Sequence, residues 1–284
     1  MRRLSERGVA DHTRYLSRWD FRPLKCILEL QCAAPPRLQF DPCDGIMRTV
    51  VPGTLTILSA YPDPPFDVMK DGTATGFDIE LMRAVCRRLV LELRPLCYEG
   101  ENFNDIFKGL AQGRCDAVIS GTTITPDRAA IARFSRPYLQ FNQGIAVNRR
   151  LTPHASSTAD LRGLAAGIQK GNTSDIVARR LLAQGDIASI EYYPYHGIGT
   201  ALDDLEAGRI GLVIKLFPVI SWLTRGRPDL AVAMQVPTHE QLGIAYAPER
   251  VDLCDAVDTA IEALRESGEF AKLQAAWPGT GAVV

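Results

Sequence analysis

Patterns typical of metal sites are absent from this sequence. Its seven cysteines contain no CxxC pair, and its four histidines lie far apart in the chain. Structural zinc sites usually show cysteines and histidines at short, regular spacings. We therefore expect neither a metal ion nor a cofactor.

The sequence also lacks an excess of charge and a long apolar segment. Its 32 lysines and arginines almost balance its 33 aspartates and glutamates, so nothing favours nucleic acid as a partner. No apolar run approaches the roughly 20 residues that cross a bilayer as a helix. A chain of 284 residues, 46% of them hydrophobic, is long enough for about two domains with cores of their own.

Residues 1–50 differ from the rest of the chain because no regular hydrophobic period emerges in them. The segment from Cys26 to Cys32 is interrupted by Glu29 and Gln31, which makes it a poor core for a signal peptide. Two interpretations stay open, a poorly ordered leader or a natural start at Met47. We predict a leader over residues 1–50, whose structure the sequence does not define.

The stretch from Ser120 to Arg128 is the strongest candidate for a binding site. It follows an apolar run typical of a buried strand, and Thr125-Pro126-Asp127 has the hydroxyl cap and first-turn proline of a helix start. Its small residues leave backbone N–H groups approachable, and Arg128 adds a planar cation that suits a carboxylate. On spacing alone, an ordinary strand-to-helix loop with a surface arginine is an equal alternative.

Strands alternate with helices along the remaining chain. Leu55 to Leu58 is predicted as a strand, and apolar residues at every fourth position from Phe77 to Leu89 predict a helix. A second alternation begins after Asp160, with another small, hydroxylated loop from Gly171 to Ser174. Such alternation predicts an α/β fold with parallel strands, in which ligands bind beyond the carboxyl ends of the strands.

Six short motifs stand in a recognisable order between Thr54 and Gly279. They are Pro64-Pro65-Phe66, Gly76 to Leu81, Gly113 to Val118, Ser120 to Arg128, Phe134 to Tyr138 and Gly268 to Trp277. Together, these motifs resemble those of the amino-acid type (family 3) of periplasmic solute-binding proteins, which serve ABC transporters.

The resemblance implies a fold, a function and partners. The fold would be two-lobed and periplasmic-binding-protein-like (type II), with two three-layer α/β lobes joined by two crossover strands. One lobe would comprise residues 51–141 and 244–284, and the other residues 142–243. The protein would be a periplasmic monomer that captures a small carboxylate, either an amino acid or a related organic acid, and delivers it to the membrane subunits of an ABC transporter.

Position by position, the resemblance also implies a ligand site. Arg128 matches the arginine that grips the ligand carboxylate, Gly121 and Thr123 match neighbouring donors, and Thr173 matches a donor from the second lobe. Phe103 falls at an aromatic wall, with a plain core role as the alternative. The predicted site residues are Ser120, Gly121, Thr123, Arg128, Asn172, Thr173, Phe103, Asp63, Tyr61, Lys215 and Leu216.

Two positions depart from the family pattern. Where the family commonly has an aspartate that pairs with the ligand ammonium group, this chain has Leu216, preceded by Lys215. Where the family often has an aromatic residue before the Pro-Pro-Phe motif, it has Asp63, with Tyr61 two positions earlier. A buried ammonium group without a carboxylate is costly, so Leu216 argues against an ordinary amino acid in the usual pose.

Two ligand classes therefore stay open. One is a small organic acid without an ammonium group, held by Arg128 and with Lys215 at a second anionic group. The other is an amine that pairs with Asp63. The plainer alternatives are that Lys215 points to solvent and that Asp63 caps its proline-rich turn.

A binding protein without catalysis is the favoured function, because the cleft shows no evident nucleophile or acid–base pair. The alternative on the same fold is a lyase similar to cyclohexadienyl or arogenate dehydratase, which needs a cleft acid of raised pKa. Asp63 and Asp175 are the candidates for that acid, and a turn or helix-cap role is the alternative for each.

Overall fold

The computed structural model describes residues 48–281, which form two α/β lobes. Residues 1–47 and 282–284 lie outside the described residues, so nearly all of the predicted leader, with Met47, lies outside them too. Within the described part of the chain, no helix combines the length and the apolar character needed to cross a membrane.

Strands and helices alternate as the sequence predicts. The strands are β1 Thr54–Ser59, β2 Val68–Lys70, β3 Thr73–Thr75, β4 Glu92–Cys97, β5 Ala117–Val118, β6 Arg133–Phe134, β7 Leu139–Asn148, β8 Ala165–Gln169, β9 Ser189–Tyr193, β10 Leu212–Leu216, β11 Leu230–Leu242 and β12 Ala245–Tyr246. The α-helices are α1 Phe77–Leu89, α2 Lys108–Ala111, α3 Pro126–Ala129, α4 Ser174–Gln184, α5 Ile198–Glu206, α6 Phe217–Thr224, α7 Val251–Glu266 and α8 Glu269–Ala276.

The first lobe is built on the sheet β4-β1-β5-β12-β6, in which β1 runs parallel to β4 and β5. Helices α7 and α8 return from the end of the chain to pack against α1. The fully buried rings of Phe77 and Tyr246 lie in the resulting core. Both ends of the described chain therefore contribute to this lobe.

The second lobe is built on the sheet β11-β7-β10-β8-β9. Strand β8 is parallel to β9 and β10, and β7 is antiparallel to β10 and β11. Because β7 leaves the first lobe and β11 returns to it, these paired strands are the two crossovers. The predicted lobe boundaries fall inside β7 and directly after β11, and they stay predictions.

Several elements differ from what the sequence predicts. The helical spacing of Phe103, Ile106, Phe107 and Leu110 predicts a helix, but the structure has a 3₁₀ turn at Phe103–Phe107 followed by the short α2. The predictions also missed α6 and the long strand β11. The register of β11 shifts between Val236 and Glu240, and this irregularity interrupts the alternation that would reveal a strand.

Candidate ligand-binding cleft

The loops that follow β1, β5 and β8 meet the end of β10 around a cavity between the two lobes. The cavity volume that is open to a water molecule is about 20 Å³, which is little more than a single water molecule needs. Ten of the eleven predicted site residues line it, namely Asp63, Phe103, Ser120, Gly121, Thr123, Arg128, Asn172, Thr173, Lys215 and Leu216. The cleft is thus nearly closed, and a ligand enters only when the lobes part or the side chains move.

Tyr61 is the predicted site residue that does not line the cavity. Its ring lies in the core of the first lobe and is 8% exposed. Burial also raises the pKa of the Tyr61 hydroxyl far above its ordinary value. The apolar surroundings of the ring explain why it packs inward and away from the ligand cavity.

The loop from Ser120 to Arg128 takes the form that its sequence predicts. The Thr125 hydroxyl accepts a hydrogen bond from the Arg128 backbone N–H at 3.3 Å, and Pro126 occupies the first turn of α3. Gly121 has a φ of 52°, and a Cβ there would lie 2.8 Å from the Phe66 ring. A residue without a side chain is therefore needed at this point of the loop.

Asp78, in the first turn of α1, holds this loop in place through hydrogen bonds. Its carboxylate accepts hydrogen bonds from the Gly121 backbone N–H at 2.7 Å and from the Tyr138 hydroxyl at 2.9 Å. Complete burial raises the pKa of Asp78 to about 7, although both hydrogen bonds favour the ionised form. The backbone around Gly121 is held by an acid whose charge state changes near neutral pH.

The Arg128 guanidinium lies at the boundary of the two lobes. It donates from Nε to Asn104 Oδ1 at 3.1 Å, from Nη1 to the Thr123 carbonyl at 2.9 Å and from Nη2 to the Gly171 carbonyl at 3.0 Å. Its carbon lies 4.9 Å from the centre of the Phe103 ring. Burial lowers the pKa of Arg128 to about 10, so the group stays charged at neutral pH.

An acid that the sequence predictions missed lies beside this arginine. Glu240 Oε2 accepts hydrogen bonds from the hydroxyls of Thr123 at 2.6 Å and Thr173 at 2.7 Å, and Oε1 accepts one from Gln143 Nε2 at 2.7 Å. Thr123 belongs to the first lobe and Thr173 to the second. Glu240, on the returning crossover β11, thereby ties the two lobes together.

Asp63 and Lys215 form an ion pair across the cleft. Lys215 Nζ lies 2.7 Å from Asp63 Oδ1, and the two side chains are 3% and 8% exposed, respectively. Burial raises the pKa of Asp63, while the charge of Lys215 acts in the opposite direction. The alternatives that Lys215 points to solvent and that Asp63 only caps its turn are wrong, because each is the charged partner of the other.

Two further groups surround the Lys215 ammonium. It donates a hydrogen bond to Gln169 Oε1 at 2.7 Å, and it lies 5.0 Å from the centre of the Tyr195 ring. Leu216, the next residue, is 7% exposed and faces the same cavity. An apolar side chain therefore stands where the end of β10 could have presented an acid.

The acids proposed for catalysis are both paired. Asp175 contacts Arg179 at 2.7 Å and accepts a hydrogen bond from Tyr192 at 2.6 Å, and it is not among the residues that line the cavity. Asp63 does line the cavity, but Lys215 compensates its charge. Asp175 therefore has no access to a ligand in the cleft.

Backbone hydrogen bonds also close the cleft at its rim. The Phe103 N–H donates to the Lys170 carbonyl at 3.1 Å, and the Tyr195 N–H donates to the Glu101 carbonyl at 2.7 Å. Each of these bonds joins a residue of the first lobe to a residue of the second.

Sequence reasoning missed several residues that form the site, and Gln143, Ser174 and Glu240 are three of them. Gln143 and Ser174 line the cavity directly. The small, hydroxylated loop before α4 was a usable signal for Ser174. Gln143 lies on β7 and Glu240 on β11, and only the pairing of those two strands brings them together.

The family model of the bacterial extracellular solute-binding proteins, family 3, matches residues 55–280. The chain belongs to this family. Membership of a solute-binding family supports a ligand-binding cleft rather than the active site that the lyase alternative needs.

Known members resemble this solute-binding protein over most of their length. The ABC transporter arginine-binding protein 1 of Escherichia coli strain K12 is 28% identical over 220 residues, which cover 75% of this chain and 86% of the relative. An ancestral arginine-binding protein bound to arginine superimposes with a TM-score of 0.71 at 26% identity, covering 79% of this chain and 98% of that one.

A third similar structure bears on the lyase alternative. It is the ancestral amino acid-binding protein AncCDT-1, a precursor of cyclohexadienyl dehydratase, with a TM-score of 0.70 and 27% identity over 79% of this chain and 95% of that one. Even this neighbour is named as a binding protein. The names of these relatives support a binding protein rather than an enzyme.

Proposed function

We propose that this solute-binding protein captures a small carboxylate between its two lobes and delivers it to an ABC transporter. The ligand is an amino acid or a related organic acid, and Arg128 is the group that binds its carboxylate. Thr123, Thr173 and the backbone around Gly121 supply neighbouring donors.

The unused part of the Arg128 fork is the observation that carries this proposal. A guanidinium has five N–H groups, and acceptors on described residues take three of them, from Nε, Nη1 and Nη2. One N–H remains on each Nη nitrogen. A carboxylate has two oxygens, so it can accept one hydrogen bond from each Nη nitrogen and form a bidentate pair.

The arginine also carries a charge that calls for an anion. No acidic side chain among residues 48–281 forms an ion pair with Arg128 within 4.0 Å, because its hydrogen-bond partners are a side-chain amide and two carbonyls. The negative charge of the nearby Glu240 acts on it only from a longer distance. A buried cation without an anion is destabilised by the loss of hydration. A ligand carboxylate in the cavity would compensate this cost and would hold both lobes to one group.

The partner and the location are inferred from the relatives. The relative in Escherichia coli is named as part of an ABC transporter, and the family is described as extracellular. We propose that this protein is a periplasmic monomer that delivers its ligand to transporter membrane subunits.

A thermal-shift screen tests the proposal. The purified protein is heated with amino acids, 2-hydroxy acids, 2-keto acids and dicarboxylates, because a ligand at about 100 times its Kd stabilises the folded state by about 2.7 kcal/mol. We expect at least one carboxylate to raise the melting temperature of the wild type. Arg128→Ala should lose that response.

Two further variants make the result specific. Arg128→Lys keeps the charge and loses the fork, so it should retain only a small part of the response. Arg114→Ala removes an exposed arginine outside the cleft and should respond like the wild type. A folded Arg128→Ala variant with the full ligand response would show that the site is wrong.

A further inference from the structure

The cation of Lys215 occupies a pocket that could otherwise bind an ammonium group of a ligand. Around its Nζ atom lie the Asp63 carboxylate at 2.7 Å, the Gln169 amide oxygen at 2.7 Å and the face of the Tyr195 ring at 5.0 Å. An anion, a neutral acceptor and an aromatic face are the three kinds of group that bind an ammonium ion. The protein fills this subsite with its own side chain.

The subsite lies in the same cavity as the carboxylate-binding arginine. Asp63, Lys215 and Arg128 all line it, and the side chains of Asp63 and Lys215 are 8% and 3% exposed. A ligand gripped by Arg128 therefore meets a cation subsite that is already occupied. Leu216, at the end of the same strand as Lys215, offers only apolar surface beside it.

We propose that Lys215 is a tethered ammonium group that replaces the ammonium group of a ligand, so that the cleft selects monocarboxylic acids without an amine over amino acids. This inference rests on the proposed function, because it assumes that Arg128 binds the ligand carboxylate. It names 2-hydroxy and 2-keto acids as the ligand class of that site.

Electrostatic repulsion disfavours both amino acids and dicarboxylic acids as ligands. An amine that took Asp63 would leave Lys215 buried without an anion, and the two ammonium groups would repel each other. A second carboxylate that approached Lys215 would instead meet Asp63, which carries the same sign. A monocarboxylate avoids both conflicts, because it needs only the Arg128 end of the cavity.

Two acids besides Asp63 lie near the cavity. Asp67 is fully buried and accepts a hydrogen bond from the Ser120 hydroxyl, whereas Glu240 could accept a ligand amine. Its oxygens are engaged by the neutral donors Thr123, Thr173 and Gln143, and no basic side chain among residues 48–281 forms an ion pair with it within 4.0 Å. The experiment must therefore separate Glu240 from the Asp63–Lys215 pair.

Matched ligands provide the test. Each compound that shifts the wild type is compared, by titration calorimetry, with the amino acid, the 2-hydroxy acid and the 2-keto acid of the same side chain. We expect the deaminated acid to bind at least about tenfold more tightly than the amino acid, since an uncompensated buried charge costs more than the energy of one factor of ten. Lys215→Met should shift this ratio by at least about tenfold toward the amino acid, because Asp63 becomes available to the ligand amine.

Two control variants keep the test decisive if Lys215→Met is poorly folded. Lys215→Met with Asp63→Asn removes both charges, and it should keep the preference for the deaminated acid without any gain in amino-acid affinity. Lys272→Met makes the same substitution on an exposed lysine of α8, and it should leave the ratio unchanged.

The outcomes separate the inference from the proposed function. A wild type that prefers the amino acid overturns the inference while Arg128 keeps its role, and loss of that preference in Glu240→Gln would identify Glu240 as the amine acceptor instead. An unchanged ratio in Lys215→Met also overturns it. If no carboxylate of either series binds, the proposed function itself fails.

Discussion

At one end of the cleft, Arg128 is surrounded by a side-chain amide and two carbonyls, whereas at the other end Lys215 contacts a carboxylate. Both cations are buried and both lie where the two lobes meet. The first has neutral partners and two N–H groups left, so it is suited to an external anion. The second already has its anion. Burial of a positive charge is therefore not by itself a sign of a ligand subsite.

The largest expected change in stability follows from removing the carboxylate partner of Lys215. Asp63→Ala leaves Lys215 buried without an anion, and we expect it to lower the free energy of unfolding by about 3–5 kcal/mol. Asp63→Leu combined with Lys215→Met should recover most of that loss, because no charge is left unpaired. Urea unfolding of the three proteins measures both values. A double variant no more stable than Asp63→Ala would contradict this explanation.

The second prediction concerns the Arg128 end of the cleft, where Asp78 holds the loop around Gly121 and should make stability depend on pH. Burial raises the pKa of Asp78 from 3.8 to about 7 in the folded state, so between about pH 4 and pH 7 the folded protein binds more protons than the unfolded chain. Stability from this group is therefore highest at low pH, falls as the pH rises to about 7 and is constant above that. The total change is at most about 4 kcal/mol, at about 1.4 kcal/mol per pH unit.

Asp78→Asn removes this titrating group, so the comparison of the wild type with this variant isolates its effect. The difference in unfolding free energy between the wild type and the variant, measured in urea from pH 4 to pH 8, should vary over the same window. A difference that does not depend on pH would mean that Asp78 keeps an ordinary pKa in the folded protein.

The smallest expected effect concerns Glu240, the acid that binds neutral donors beside Arg128. Glu240→Gln replaces an ionised acceptor with a neutral one for the hydroxyls of Thr123 and Thr173, and we expect a loss of about 1–3 kcal/mol in urea unfolding. Glu249→Gln, on an exposed residue, should change stability by less than about 0.5 kcal/mol. Equal effects of the two substitutions would show that the Glu240 contacts do not stabilise the closed lobes.

Local patterns of the sequence were sufficient for most of the fold. The fourfold spacing from Phe77 to Leu89 predicts α1, and Thr125-Pro126 predicts the start of α3, since both signals depend only on neighbouring residues. Strand β11 was missed because Pro237 and the register shift after Val236 interrupt its alternation. The same holds for the site. The loop of Arg128 is contiguous and was predicted, whereas Glu240 reaches Thr123 and Thr173 only through strand pairing.

The ion pair shows a different limit of sequence reasoning. Asp63 and Lys215 were both singled out, but as separate groups with separate partners. Their distance of 2.7 Å depends on how the two lobes meet, and residues 152 positions apart in the chain carry no local signal of such a contact. The comparison with the family pattern singled out Asp63 and Leu216, but it did not reveal that Asp63 compensates the charge of Lys215, the residue before Leu216.

The two backbone hydrogen bonds at the rim of the cleft make the opening of the lobes measurable by hydrogen exchange. The amide hydrogens of Phe103 and Tyr195 are each shared with a carbonyl of the opposite lobe, and they do not depend on any side chain. Solvent can replace these two hydrogens only after the lobes separate, so their rate of isotope exchange counts opening events rather than ligand contacts.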